Sequence, residues 1–183
     1  MAEASDRDLV LRTRGGEVDA FGEIVRRYQV SVFNVCYRLL GERRDAEDLA
    51  QESFLRAYQR LRSYDAERPF GPWVRQVAAR LCLNYLERPD RSTLTLDEEN
   101  DWPAASGEEP EAKSGEREKG QTIRRALLAL PAKQRTAVEL RHFQELSYDE
   151  IAAAMCLPLS DVKSHLFRGR KALAEKLKSA DRI

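Results

Sequence analysis

A chain of 183 residues, 42% hydrophobic and 34% charged with a mean hydropathy of -0.60, holds enough apolar material for one large or two small cores. No run approaches the ~18 consecutive apolar residues of a membrane span, and the opening MAEASDRDLV lacks the basic start and apolar stretch of a secretion signal, so a cytoplasmic protein without direct membrane insertion is expected. The zero net charge is uneven: residues 1–88 carry 15 Lys+Arg against 14 Asp+Glu, residues 89–120 carry 4 against 10, and residues 121–183 carry 12 against 7.

From Ala20 to Leu40, Phe21, Ile24, Val25, Tyr28, Val32, Cys36 and Leu39 follow the three-four spacing of an amphipathic helix, and Gly41 closes it. A second helix, Asp45–Leu61, places Ala46, Leu49, Ala50, Phe54, Tyr58 and Leu61 inward, with Asp45 as cap or first-turn acid. Asp45, Asp48 and Glu52 share its other face, flanked by Glu47 and Gln51. Such a stripe suits a basic partner, and a plain solvated face reads the same way. Residues 62–72 contain two prolines and a glycine and read as a loop. Trp73 opens a third helix, with Val74, Val77, Leu81 and Tyr85 or Leu86 inward, ending before Pro89.

Between Pro89 and Gly120 acids, Pro, Gly, Ser and Ala dominate, and Leu94, Leu96 and Trp102 are the few apolar residues. Such a segment buries too little surface to offset the entropy of ordering, so residues 91–119 are expected to form a flexible acidic linker. Helices follow at Gln121–Leu130, ending before Pro131, and at Ala132–Phe143. Ser147–Leu177 then reads as two helices broken at Leu157-Pro158, because proline disfavours helix in the residue before it and suits a helix start. Ile151, Ala152 and Met155 line the first; Val162, Leu166, Leu173 and Leu177 line the second. Lys163, His165, Arg168, Arg170 and Lys171 lie off that stripe, which gives the form of a helix-turn-helix that enters the major groove. The expected fold is all-α: a helical domain over residues 1–90, the linker, and a DNA-binding helix-turn-helix domain over residues 120–183.

Cys36, Cys82 and Cys156 are isolated, and with His142 and His165 they offer no zinc-site spacing. They are expected to be reduced thiols filling small core positions. No phosphate-binding glycine loop, dinucleotide fingerprint or H-E-x-x-H occurs, so no catalytic site, metal or cofactor is expected.

Four segments, in this order, resemble bacterial sigma factors of the sigma-70 family, in their extracytoplasmic-function (ECF) group. DAEDLAQESFLRAYQRL (Asp45–Leu61) is similar to the core-polymerase-binding segment, and FGPWVRQVAARLCLNYL (Phe70–Leu86) to the promoter-melting region. ALLALPAKQRTAVELRHFQELSYDEIA (Ala126–Ala152) leads into VKSHLFRGRKAL (Val162–Leu173), similar to the recognition helix. The resemblance implies core RNA polymerase as partner, with Asp48, Gln51 and Glu52 on the clamp coiled coil of β′ and further contact with the β subunit. It also implies promoter DNA and an anti-sigma factor as partners.

At the −10 element the resemblance assigns Tyr64, Asp65, Ala66 and Phe70 to a cup for a flipped base, beside Trp73; Phe70 and Trp73 read equally well as core. Arg80 stands where the family often has asparagine. A guanidinium lacks the amide's paired donor and acceptor, so Arg80 is expected on phosphate, with Asn84 the nearest amide. At the −35 element Lys163, Ser164, Phe167 and Arg168 align with base-reading positions, and His165, Arg170 and Lys171 suit phosphates. Phe167 has core packing as its alternative. Cys156 and Ser160-Asp161 replace residues that are commonly Gly and Gly-Thr in the family. The implied function is promoter-specific transcription initiation. Its rivals are a stand-alone helix-turn-helix regulator and an interaction module that sequesters polymerase.

Overall fold

The computed structural model describes residues 4–89 and 114–180, with side chains from residue 118 in the second part, and among them every regular element is helical. Ser5 starts α1 (Asp6–Arg14) through a capping box: its hydroxyl accepts from the Asp8 amide while Asp8 accepts from the Ser5 amide. Sequence periodicity passed over this helix because only Leu9, Val10 and Thr13 are buried. The Tyr28 hydroxyl donates to Asp6, and Arg27 pairs with the same carboxylate at 3.0 Å, which fixes α1 on its neighbour.

Helix α2 (Val18–Leu40) buries the expected Phe21, Ile24, Val32, Cys36 and Leu39 and ends at Gly41 in the left-handed region, φ 77°. In α3 (Arg43–Arg60) the cap is Glu42, whose carboxylate accepts from the Arg44 and Asp45 amides; Asp45 is the first-turn acid. Tyr58, expected inward, is 42% exposed and packs edge-on against Phe21 at 5.0 Å. The small residues Ser53 and Ala57 take the buried places instead, where α2 comes close.

Helix α4 (Phe70–Leu86) begins three residues before Trp73. Its inward row is Phe70, Val74, Ala78 and Cys82, while Val77 and Leu81 are half-buried. The register differs from expectation because α4 is covered twice, by α2 and α3 on one side and by α6 and α7 on the other. Only Asn84 is exposed within it.

In the second half, α5 (Ser114–Leu128) starts ahead of Gln121, so residues 114–119, read as linker, are helical. The rest of the linker expectation lies outside the described residues. The single helix expected at Ala132–Phe143 is divided into α6 (Ala132–Val138) and a π-helical turn, Glu139–Phe143. Ser147 and Glu150 form a second capping box for α7 (Tyr148–Met155), and α8 (Leu159–Ala180) follows the turn.

The two halves pack against each other. One hydrophobic cluster runs from Leu9 through Phe70 and Cys82 to Ile151 and Leu166. The carbonyls at the end of α2, orphaned by helix geometry, are satisfied by arginines from the other half: Arg124 Nη2 reaches Gly41 O at 2.7 Å, and Arg135 donates to Leu39 O. Cations at a helix C-terminus are favoured by the dipole. Arg135 also donates to Leu128 O and Leu130 O at 2.8 and 2.9 Å, and burial pushes its pKa down to about 10. Arg38 meets Glu139 through two bonds of 2.8 Å each, with Glu139 only 1% exposed. Removing one partner of such a pair typically costs about 3–5 kcal/mol. Gly41 is favoured by its left-handed φ of 77°, and a Cβ there would lie 2.7 Å from Leu128 Cδ1, so that side chain would have to shift.

Cys36 and Cys82 are buried as expected. Cys156 is not: it is exposed, in the left-handed position that ends α7, φ 52°. Burial, then a hydrogen bond with Cys36, holds the Cys82 thiol well above its usual pKa. Only the thiolate reacts, so a maleimide should label Cys156 alone in the folded chain and reach the other two after denaturation. Fast labelling of more than one thiol in buffer would contradict this packing.

Candidate nucleic-acid interface and partner face

The turn between α7 and α8 sets the direction of the second helix. Cys156 ends α7, Leu157 and Pro158 break it, and the Pro158 carbonyl accepts from Asp161 and Val162 at 3.0 and 3.2 Å to start α8. Val162 and Leu166 point into the core, and Gly169 lets α8 cross α6 closely, since a Cβ there would lie 2.9 Å from Val138 Cγ2. Four residues are thereby turned outward together: Lys163, Ser164, Phe167 and Arg168. Phe167 is 70% exposed, so its core-packing alternative is excluded. With Tyr148, Lys163, Leu166, Arg170 and Lys171 it lines a groove of about 470 Å³.

The phosphate-assigned residues divide. Lys171 is exposed. Arg170 is exposed but tied back, its Nε donating to His142 Nε2 at 3.0 Å, which requires a neutral imidazole at that atom. His165 is half-buried, and its Nδ1 has no hydrogen-bond partner among the described residues. Both imidazoles have lowered pKa values: burial leads in each, followed by Arg170 for His142 and by Lys133 for His165. A lowered histidine pKa means the unfolded chain takes up protons first, so stability is lost as pH falls below the ordinary value near 6.5. The thermal midpoint should therefore drop on acidification below that pH, and His142→Gln with His165→Gln should flatten the drop. An equal slope in the double variant would remove both histidines from this role.

On α3, Asp48 and Gln51 are exposed, and Glu52 is half-exposed with its carboxylate 2.7 Å from Arg56 Nε. Leu55, 53% exposed, and Tyr58 continue the same face. Sequence reasoning missed these two as surface groups, although their spacing from Asp48 and Gln51 carries the signal. Beside them α2 and α3 enclose a groove of about 360 Å³, walled by Val25, Val30, Phe33 and Phe54 and rimmed by Arg43, Glu47 and Gln51. The arrangement offers carboxylates next to open apolar surface.

The −10 residues lie differently. Tyr64 and Phe70 are buried and Trp73 is half-buried; their centroids are 4.4 Å (Tyr64–Trp73), 5.4 Å (Phe70–Trp73) and 5.7 Å (Tyr64–Phe70) apart. The Tyr64 hydroxyl donates to the Arg68 carbonyl, and burial raises its pKa. Asp65 is exposed, bonding the Glu67 amide at 3.0 Å, and Ala66 is half-buried. The guanidinium of Arg80 donates to the Met155 carbonyl at the end of α7, and Asn84 faces solvent. The rings thus pack on one another rather than around open space, and Arg80 is engaged within the chain.

No group of three His, Cys, Asp or Glu side chains suited to a metal occurs among the described residues, and no described helix is long and apolar enough to cross a membrane.

The described residues thus carry an open basic helix-turn-helix face on one half and an acidic-apolar face on the other, the outline of an all-helical nucleic-acid-binding protein. Comparison with known proteins specifies it. The family Sigma-70 region 2 matches residues 24–92, and Sigma-70, region 4 matches residues 120–173. The ECF RNA polymerase sigma factor SigW of Bacillus subtilis is 34% identical over 178 residues, covering 92% of this chain and 95% of that one. The ECF RNA polymerase sigma-E factor of Escherichia coli K12 is 32% identical over 183 residues, covering 96% and 95%. Among solved structures, CnrH in complex with the cytosolic domain of CnrY has the same fold, with a TM-score of 0.64, 22% identity and coverage of 95% and 97%. The chain belongs to the sigma-70 family, in its ECF group, and acts in promoter-specific initiation by RNA polymerase.

Proposed function

We propose the following division of labour. The α3 face, with Asp48, Gln51 and Glu52 as its charged and amide groups and Leu55 and Tyr58 as its apolar groups, docks the β′ clamp coiled coil; the second half extends the contact to the β subunit. The loop of residues 62–69 and helix α4 handle the −10 element, where Tyr64, Asp65, Ala66, Phe70 and Trp73 form the base-holding wall and Arg80 and Asn84 the polar groups. Helix α8 reads the −35 element as duplex. There Lys163 and Arg168 donate to guanine edges, Ser164 adds a hydroxyl, and Phe167 packs on a thymine methyl. Lys171, Arg170 and His165 track phosphates, which position the helix without specifying sequence.

The observation that carries this reading is Phe167: a large aromatic, 70% exposed, between two cations on the outward side of a helix that otherwise buries its apolar residues. It serves a surface that binds something flat and anionic. An anti-sigma factor is a further proposed partner. The Bartonella quintana sigma factor RpoE was solved with the anti-sigma factor NepR, and this chain matches it with a TM-score of 0.64 at 21% identity.

Nuclease footprinting separates the rivals. With core polymerase the chain should protect both promoter elements, and alone it should protect neither at the same concentration. Protection of duplex by the free chain, unchanged on adding core, would make it a stand-alone regulator.

A further inference from the structure

Gly169 brings α8 against α6 at Val138, so the next residue, Arg170, stands over the turn that continues α6. That turn, Glu139–Phe143, is π-helical, a geometry found frequently at functional sites. It presents His142, and Arg170 Nε donates to His142 Nε2 at 3.0 Å. Both side chains are exposed, and Arg170 also borders the groove lined by Lys163, Phe167 and Lys171. A guanidinium has no acceptor to offer, so the bond exists only while Nε2 is unprotonated. The charges acting on the imidazole are positive: Arg170 from α8, then Arg141 from its own turn. Among the other elements packed on the turn, α2 carries Arg38, which is bound to Glu139. Helix α7 carries Tyr148, beneath the Arg141 guanidinium, and Glu150, bonded to the Ser147 amide. Helix α6 carries Lys133, which acts on His165.

We propose that His142 is a proton-controlled positioning residue for the phosphate grip of α8. Unprotonated, it ties Arg170 back. Protonated, it releases Arg170 and stands beside it as a further cation toward the −35 phosphates. This rests on the assignment of α8 to the −35 element. In the free chain burial and the two arginines hold the imidazole below its ordinary value of 6.5. A DNA phosphate brings negative charge to the pair and moves it upward in the complex. Binding therefore takes up a proton, and affinity rises as pH falls. It is flat above the bound midpoint, climbs between the two midpoints, and levels off below the free one. A separation of one unit amounts to about tenfold in affinity.

The test measures the affinity of the holoenzyme for promoter duplex between about pH 8 and about pH 6, the range in which a histidine titrates. His142→Gln keeps an acceptor for Arg170 but never charges, so the ratio of parent to variant affinity cancels the pH response of polymerase itself. That ratio should rise by about three- to tenfold as pH falls. At the lower pH alone, the parent's salt slope should be steeper than the variant's by about 0.9, the share of one added phosphate contact. His142→Lys, a fixed cation, should bind tightly at both pH values. His165→Gln, whatever it does to affinity, should leave the pH response in place. A ratio that does not change with pH overturns the proposal, as does a response lost in His165→Gln and kept in His142→Gln. Proton NMR of the free chain, which has two histidines, judges the pair without DNA. There the His142 midpoint should rise in Arg170→Gln, and an unmoved midpoint overturns the pairing. Failure of the α8 assignment shows separately, as parent-level affinity in both Arg168→Ala and Lys171→Ala, and it takes the proton coupling with it.

Discussion

If the α3 face docks core RNA polymerase as proposed, Asp48→Arg with Glu52→Arg should abolish that binding while helical content stays near that of the parent chain. Both side chains stand on the open face of α3, so neither replacement enters the core. The reversal turns two attractions toward a basic partner surface into two repulsions, and like charges set against each other at an interface cost several kcal/mol. Locally the change is small. Glu52 gives up its pairing with Arg56 four residues on, and a like-charge pair at that spacing costs about 0.2–0.5 kcal/mol. That is a minor fraction of a domain's ~5–15 kcal/mol. Gel-filtration co-elution and circular dichroism read the two effects separately. Unchanged affinity for core would take the clamp away from this face.

The second large effect separates reading from holding on α8. Arg168→Ala should weaken −35 binding by about 1–3 kcal/mol and relax preference at one base position, because a guanidinium matches the two acceptors of a guanine edge. Lys171→Ala should weaken every sequence alike and flatten the salt dependence, since a phosphate contact releases counterions regardless of sequence. Both side chains are exposed, so neither change disturbs packing. The assay is initiation by the holoenzyme on a −35 library at two salt concentrations. If Arg168→Ala lowered all sequences equally, base reading would pass to Lys163 or Ser164, and Arg168 would be a phosphate contact.

Much of this was legible in the sequence where the signal is local to the segment. The apolar stripe of α2 and its end at Gly41, the break at Leu157-Pro158, and the outward cations of α8 all follow from local spacing and backbone preference. Phe167 illustrates the limit. Its residue type suits core or groove equally, and only the burial of Val162, Leu166 and Gly169 beside it turns it outward. Helix α4 shows the limit more sharply. Periodicity finds the most apolar stripe of a helix, yet α4 is covered on two sides, so its deepest row, Phe70–Val74–Ala78–Cys82, shares Val74 with the predicted one and leaves Val77 and Leu81 half-buried. The arginines that join the halves were illegible because their partners are backbone carbonyls or a carboxylate about 100 residues away. No composition or spacing marks Arg135 or Arg38 as different from a surface cation. Cys156 departed from expectation for a local reason: the short turn after α7 demands a left-handed residue, whatever its side chain.

The central claim, that this chain confers promoter choice on polymerase through these surfaces, is tested most directly by run-off transcription. Purified core polymerase is mixed with the chain and a pool of genomic promoter fragments, and transcript starts are mapped with the parent chain and with Asp48→Arg/Glu52→Arg. The account predicts discrete starts that share −35 and −10 sequences with the parent chain and none with the variant. Starts unchanged by the variant, or no chain-dependent starts with active core, would contradict it.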